Sequence, residues 1–145
     1  MANVFDVTTY ILDCKGPMSA MKAQKLAYYA QAWSLVWDDT PLFENRIEAW
    51  ANGPVVRDLY NAHRGIFTVS SKEFVHLAIG DMSESQRETI DAVLEAYGNR
   101  SAQWLSDQTH AEAPWKIARE GIGDGERGER EISLESMAEY YSSLQ

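Results

Sequence analysis

With 145 residues, 45% of them hydrophobic and 24% charged, the chain has the size and balance of one globular domain that closes a core without covalent staples. A net charge of −9 and a pI near 4.7 oppose broad attraction to phosphate backbones, which needs a basic face, so nucleic acid is a poor first partner. The single cysteine, Cys14, excludes an intrachain disulfide.

The first helix is expected from Asn3, which with Asp6 caps apolar positions Val4, Val7 and Ile11 at helical spacing, and Lys15-Gly16-Pro17 stops it. A second helix begins at Met18 or Ser19 and runs to Trp37. Leu26, Tyr29, Ala30, Trp33, Val36 and Trp37 form one stripe on it, and Met21, Tyr28, Ala32 and Leu35 form another. The remaining arc, Ala23, Gln24, Ala27, Gln31 and Ser34, is small or amide-bearing and accepts a close neighbour. A helix with no charged face belongs inside, so this one is the expected central post.

Arg46–Trp50 alternates as a short strand, and Pro54 starts a helix with Val55, Val56, Leu59 and Tyr60 on one face, closed by Arg64 and Gly65. The stretches around Phe67 and Phe74–Ile79 read as two short strands joined near Ser71. Capping boxes at Ser83 with Gln86 and at Thr109 with Glu112 start further helices, and Ser101 caps a short one between them. Residues 121–131 form a flexible glycine-rich connector. Ser133 then caps a last helix over 133–144, with Ile132 placed against Met137. The sum is a mainly α (α+β) fold: a single domain over 1–145, a compact helical bundle around a buried central helix, with a small β-hairpin or short sheet in the middle of the chain.

Few residues suggest chemistry. His110-Ala111-Glu112 matches the first half of a zinc-deaminase signature, but the Pro-Cys-x-x-Cys half is absent and a lone histidine under-coordinates zinc. An enzyme site near His110 and Glu112 is therefore the weaker reading, and neither cofactor nor metal is expected. The run Gly121–Gly128 lacks the Lys-Ser/Thr of a phosphate loop and carries acids that repel phosphate. Lys22 and Lys25 lie beside apolar positions on the second helix, and a buried lysine demands a mate, for which Glu48 is a candidate. Five tryptophans, seven tyrosines and four phenylalanines exceed what a small core needs, leaving aromatic surface for a partner. No run of eighteen apolar residues is present, and the N-terminus has neither basic flank nor apolar stretch, which points to the cytoplasm and away from a membrane.

Four blocks taken together, Met21–Trp33, Pro41–Phe43, Ile47–Tyr60 and Leu105–Arg119, resemble the Panacea domain family of phage-associated proteins, in that family's order and spacing from about Val4 to Tyr140. The resemblance implies an antitoxin that neutralises, by direct binding, a cognate toxin encoded nearby. In one subgroup it implies instead a proteolytic adaptor that hands the toxin to ClpXP. A DNA-binding autoregulator acting on its own operator is a further alternative, which the net charge opposes. The residues matching family motifs, and so implied as partner-binding or scaffold positions, are Lys25, Tyr28, Tyr29, Gln31, Trp33, Trp50, Gly53, Pro54, Tyr60, His110, Pro114 and Trp115. The chain departs from the pattern at Ala51-Asn52, where many relatives carry an aromatic or proline.

Overall fold

The computed structural model describes residues 1–145 and orders them as α1 (Val4–Lys15), β1 (Met18–Ser19), α2 (Ala20–Trp37), β2 (Ile47–Trp50), β3 (Gly53–Val56), α3 (Arg57–His63), β4 (Thr68–Val69), α4 (Glu84–Tyr97), α5 (Ala102–His110), α6 (Ala113–Ala118) and α7 (Leu134–Ser142). Two 3-10 turns, Ser71–Glu73 and Val75–Leu77, lie between β4 and α4. The fold is mainly α, with two small antiparallel sheets, β1 with β4 and β2 with β3.

Ser19 caps α2 by accepting from the Lys22 amide at 3.2 Å, and the helix runs as expected to Trp37. The small-residue arc is enclosed, with Ala23, Gln24, Ala27, Gln31 and Ser34 all buried and α1, α4, α5, α7 and β3 packed around the helix. Of the two apolar stripes, Leu26, Tyr28, Tyr29, Ala30 and Ala32 are buried, and Met21, Trp33, Leu35 and Val36 are half-buried. Each aromatic ring buried there contributes about 2 kcal/mol before entropy is subtracted. The post leaves the core at its last turn, where Trp37 is 46% exposed and stacks on Trp33 at 5.0 Å.

The two buried amides of α2 explain why such a helix tolerates strands and loops against it. Gln24 accepts from the Val56 amide at 2.8 Å and donates to the Val56 carbonyl at 3.3 Å. Gln31 likewise accepts from the Leu42 and Phe43 amides at 2.7 and 3.3 Å and donates to the Phe43 carbonyl at 2.8 Å. Each side chain stands in for a neighbouring strand, so buried backbone groups of β3 and of the segment before β2 are satisfied.

Three expectations are corrected. Pro54 does not begin a helix: Gly53–Val56 pairs with β2 from Ile47↔Val56 to Trp50↔Gly53, and the helix starts at Arg57. Pairing across the Ala51-Asn52 turn, with β-branched Val55 and Val56, outweighs the local proline signal. Residues 66–79 do not form a hairpin; Thr68–Val69 pairs with Met18–Ser19 instead. Glu73 closes a capping box on Ser70, accepting from its amide at 2.8 Å, and so begins a helical turn where a hairpin bend is expected. The third concerns Thr109 and Glu112. Thr109 lies inside α5 and donates to the Ser106 carbonyl, and Glu112 has a different set of partners, described below.

The glycine-rich segment expected as a connector is tied to the β2–β3 hairpin. Ala49 donates to the Arg130 carbonyl at 2.8 Å, the Glu131 backbone lies antiparallel opposite Glu48, and Ile132 donates to the Ile47 carbonyl at 2.8 Å. Arg119, buried beneath, donates to the carbonyls of Ala49, Gly123 and Glu126 at 3.2, 3.0 and 2.6 Å.

Candidate functional site

The β2–β3 hairpin brings the motif residues of α2 and α5 together. Gly53 sits at φ +123, and a Cβ there would lie 2.5 Å from Lys25 Cε, 3.2 Å from its Nζ and 3.2 Å from Thr109 Oγ1. The lysine therefore ends against the bare backbone of the turn. The expected pairing of Lys25 with Glu48 does not form. Glu48 is engaged by Arg46 at 2.9 Å, by the Trp50 indole at 2.8 Å and by Arg57 at 3.3 Å. Burial opposes the Glu48 charge, but these donors together hold its pKa below the usual carboxylate range. Lys25 Nζ is buried with no hydrogen-bond partner, and burial lowers its pKa to about 8. Lys22 stays partly exposed at the first turn. Gly53→Ala is expected to cost about 2 kcal/mol, from a left-side φ and a Cβ against a trapped lysine. A urea midpoint equal to wild type would contradict the close approach.

Beside Lys25, the His110 ring stacks on Trp115 with centroids 4.1 Å apart, and the Trp115 indole donates to the Trp50 carbonyl at 2.8 Å. His110 Nε2 is buried and unpartnered, and burial followed by the Lys25 charge lowers the ring's pKa. One turn away, Glu112 forms a different centre. Its Oε1 accepts from Tyr29 at 2.7 Å and from Tyr141 at 2.8 Å, and its Oε2 accepts from Gln108 at 3.1 Å. Tyr28 completes the chain with a 3.0 Å contact to the Tyr141 hydroxyl, and Tyr97 stacks on Tyr29 at 4.1 Å. Burial, with Glu112 among the neighbouring charges, raises the pKa of Tyr29, Tyr28 and Tyr141. His110 and Glu112 thus belong to separate networks and do not converge on one point. No group of three His, Cys, Asp or Glu side chains is placed to hold a metal ion.

Two features face outward. A cavity of about 580 Å³ opens over the hairpin, with Arg57, Arg64 and Arg127 in its wall beside Trp50 and Tyr60. Separately, the stretch between α3 and α4 exposes Ile66 (41%), Phe67 (79%), Val75 (57%), Leu77 (38%) and Ile79 (61%). Its backbone is anchored rather than dangling: Phe67 accepts from the Ala20 amide at 2.7 Å, Leu77 accepts from the Asn3 side chain at 3.0 Å, and Gly80 donates to Asp6 at 2.6 Å.

Residues 24–116 match the family described as "Antitoxin SocA-like, Panacea domain". The chain belongs to that family. It is also 30% identical over 118 residues to the protein named Antitoxin SocA of Caulobacter vibrioides (strain NA1000 / CB15N), an alignment covering 74% of this chain. The chain spans 63% of that relative's length. No solved structure matches it.

The Panacea match begins at Gln24 and ends at Lys116, so it encloses all twelve motif residues read from the sequence. Lys25, Tyr28, Tyr29, Gln31, Gly53, Pro54, Pro114 and Trp115 are buried, while Trp33, Trp50, Tyr60 and His110 are half-buried. Tyr60 packs edge-on against Trp50 at 4.7 Å and so joins the hairpin group. Trp33 lies on the tyrosine side, donating to the Tyr97 hydroxyl at 3.2 Å. Tyr141, which completes the Glu112 centre, comes from α7 outside the matched window. No helix is long and apolar enough to cross a membrane.

Proposed function

We propose that the protein is a cytoplasmic antitoxin that neutralises a cognate toxin, encoded beside it, by direct protein–protein binding and without transforming a substrate. Family membership and the name of the relative support the antitoxin role. The observation that carries the binding mode is the exposed apolar stretch Ile66–Ile79: five large apolar side chains on one short segment whose backbone is fixed from both ends. Water-facing side chains of this kind, held without loss of loop entropy on association, are what an interface core requires. The buried motif residues then serve as the frame that holds the segment, and the segment supplies contact with the toxin. A masking complex of this kind buries at least about 1,200 Å².

The test is a paired substitution, Phe67→Asp with Ile79→Asp, at positions with nothing to lose inside the fold. Folding stability stays within about 0.5 kcal/mol of wild type. Affinity for the toxin falls about 100-fold and growth rescue is lost. A variant that still co-purifies with the toxin and rescues growth would remove this stretch from the interface.

A further inference from the structure

The chain carries 22 acidic residues against 13 lysines and arginines, yet the cavity over the β2–β3 hairpin reverses that balance. Three arginines, Arg57, Arg64 and Arg127, line it against one carboxylate, Glu129. Arg57 and Arg127 share Glu129 at 3.5 and 3.1 Å, and Arg57 is further held by buried Glu48 at 3.3 Å, whereas Arg64 has no ion pair. Glu48 thus fixes a guanidinium at the wall of a cavity it does not itself line. The Arg57 guanidinium carbon lies 5.5 Å from the centre of the Trp50 ring, and Trp50 meets Tyr60 edge-on, so an aromatic wall stands beside the cationic one. A volume of about 580 Å³ lies in the range of small-ligand sites, roughly 300–1,000 Å³. Guanidinium groups match phosphate oxygens in pairs, and half-buried indole and phenol rings accept a flat ring by stacking.

We propose that this cavity binds a phosphate-bearing small molecule of mononucleotide size, its phosphate on Arg64 and Arg127 and its ring against Trp50 and Tyr60. The site stands apart from the toxin-docking stretch and does not depend on it. Because residues 125–129 close the cavity and are held over it by Arg119 and the β2–β3 hairpin, the ligand also bridges the glycine-rich segment to α3.

Calorimetric titration of the protein alone, with AMP, adenosine and inorganic phosphate as probes, tests this. AMP binds with a submillimolar Kd, adenosine and inorganic phosphate each bind at least about 10-fold more weakly, and added salt weakens AMP binding. Arg64→Ala and Arg127→Ala, both at exposed positions, each weaken AMP by about 10-fold or more while thermal unfolding stays unchanged. No AMP binding at about 5 mM, equal affinity for adenosine or for inorganic phosphate, or unchanged affinity in both variants would each overturn the assignment.

Discussion

Replacing Glu112 with alanine is expected to destabilise the protein by about 4 kcal/mol. The carboxylate accepts from two buried tyrosine hydroxyls and from Gln108, so its removal strands Tyr29 and Tyr141 in surroundings that offer no water. Hydrogen bonds to a charged acceptor are worth about 1.5–3 kcal/mol each, and an orphaned buried donor costs its full desolvation. The loss spreads widely, because these bonds join α2, α5 and α7 at the turn before α6, and Tyr28 hangs on Tyr141. Glu112→Gln keeps an acceptor oxygen of the same reach and should lose roughly half as much. Urea unfolding with an unchanged slope measures both. A loss under about 1 kcal/mol for alanine would mean that the tyrosines find other partners.

Lys25→Met is expected to act in the opposite direction, raising stability by about 3 kcal/mol at pH 7. The lysine's pKa is about 8 in the folded protein against 10.5 when unfolded, and each unit corresponds to about 1.4 kcal/mol. Below pH 8 the side chain is charged in both states and the cost of burying that charge is fully present. Between pH 8 and 10.5 the unfolded chain holds a proton that the folded one has released, so wild-type stability rises through that window relative to the variant. The methionine variant's advantage therefore shrinks from pH 8 and is gone by about pH 10.5. Comparing the two proteins cancels the tyrosines, which ionise in the same range. An advantage independent of pH would assign the effect to packing rather than charge. His63 and His110, whose pKa values are lowered first by burial and further by Lys25, rise in the same variant.

The central helix was legible because its third face, Ala23, Gln24, Ala27, Gln31 and Ser34, offers nothing to water, and a helix without a wet side has one place to go. Helix starts at Asn3, Ser83, Ser101 and Ser133 were legible because each depends on a hydroxyl or amide within three residues. What escaped depends on distant partners. Pro54 reads as a helix start until Ile47–Trp50 is beside it, and Thr109 with Glu112 reads as a capping box until Tyr29 and Tyr141 arrive from helices more than 25 residues away on either side. The arginine-lined cavity was invisible for the same reason, since long-range ties of Arg119, Arg130 and Ile132 to the hairpin and its neighbours fold the Arg127 segment over α3.

Size-exclusion chromatography with light scattering decides whether the proposed neutralisation works by masking: this protein is mixed with the proposed cognate toxin at the ratio that just restores growth. Masking predicts a stable complex of defined stoichiometry, with rescue requiring at least as many copies of this chain as of the toxin. Full rescue at a small fraction of the toxin's concentration, with no complex detected, would contradict it.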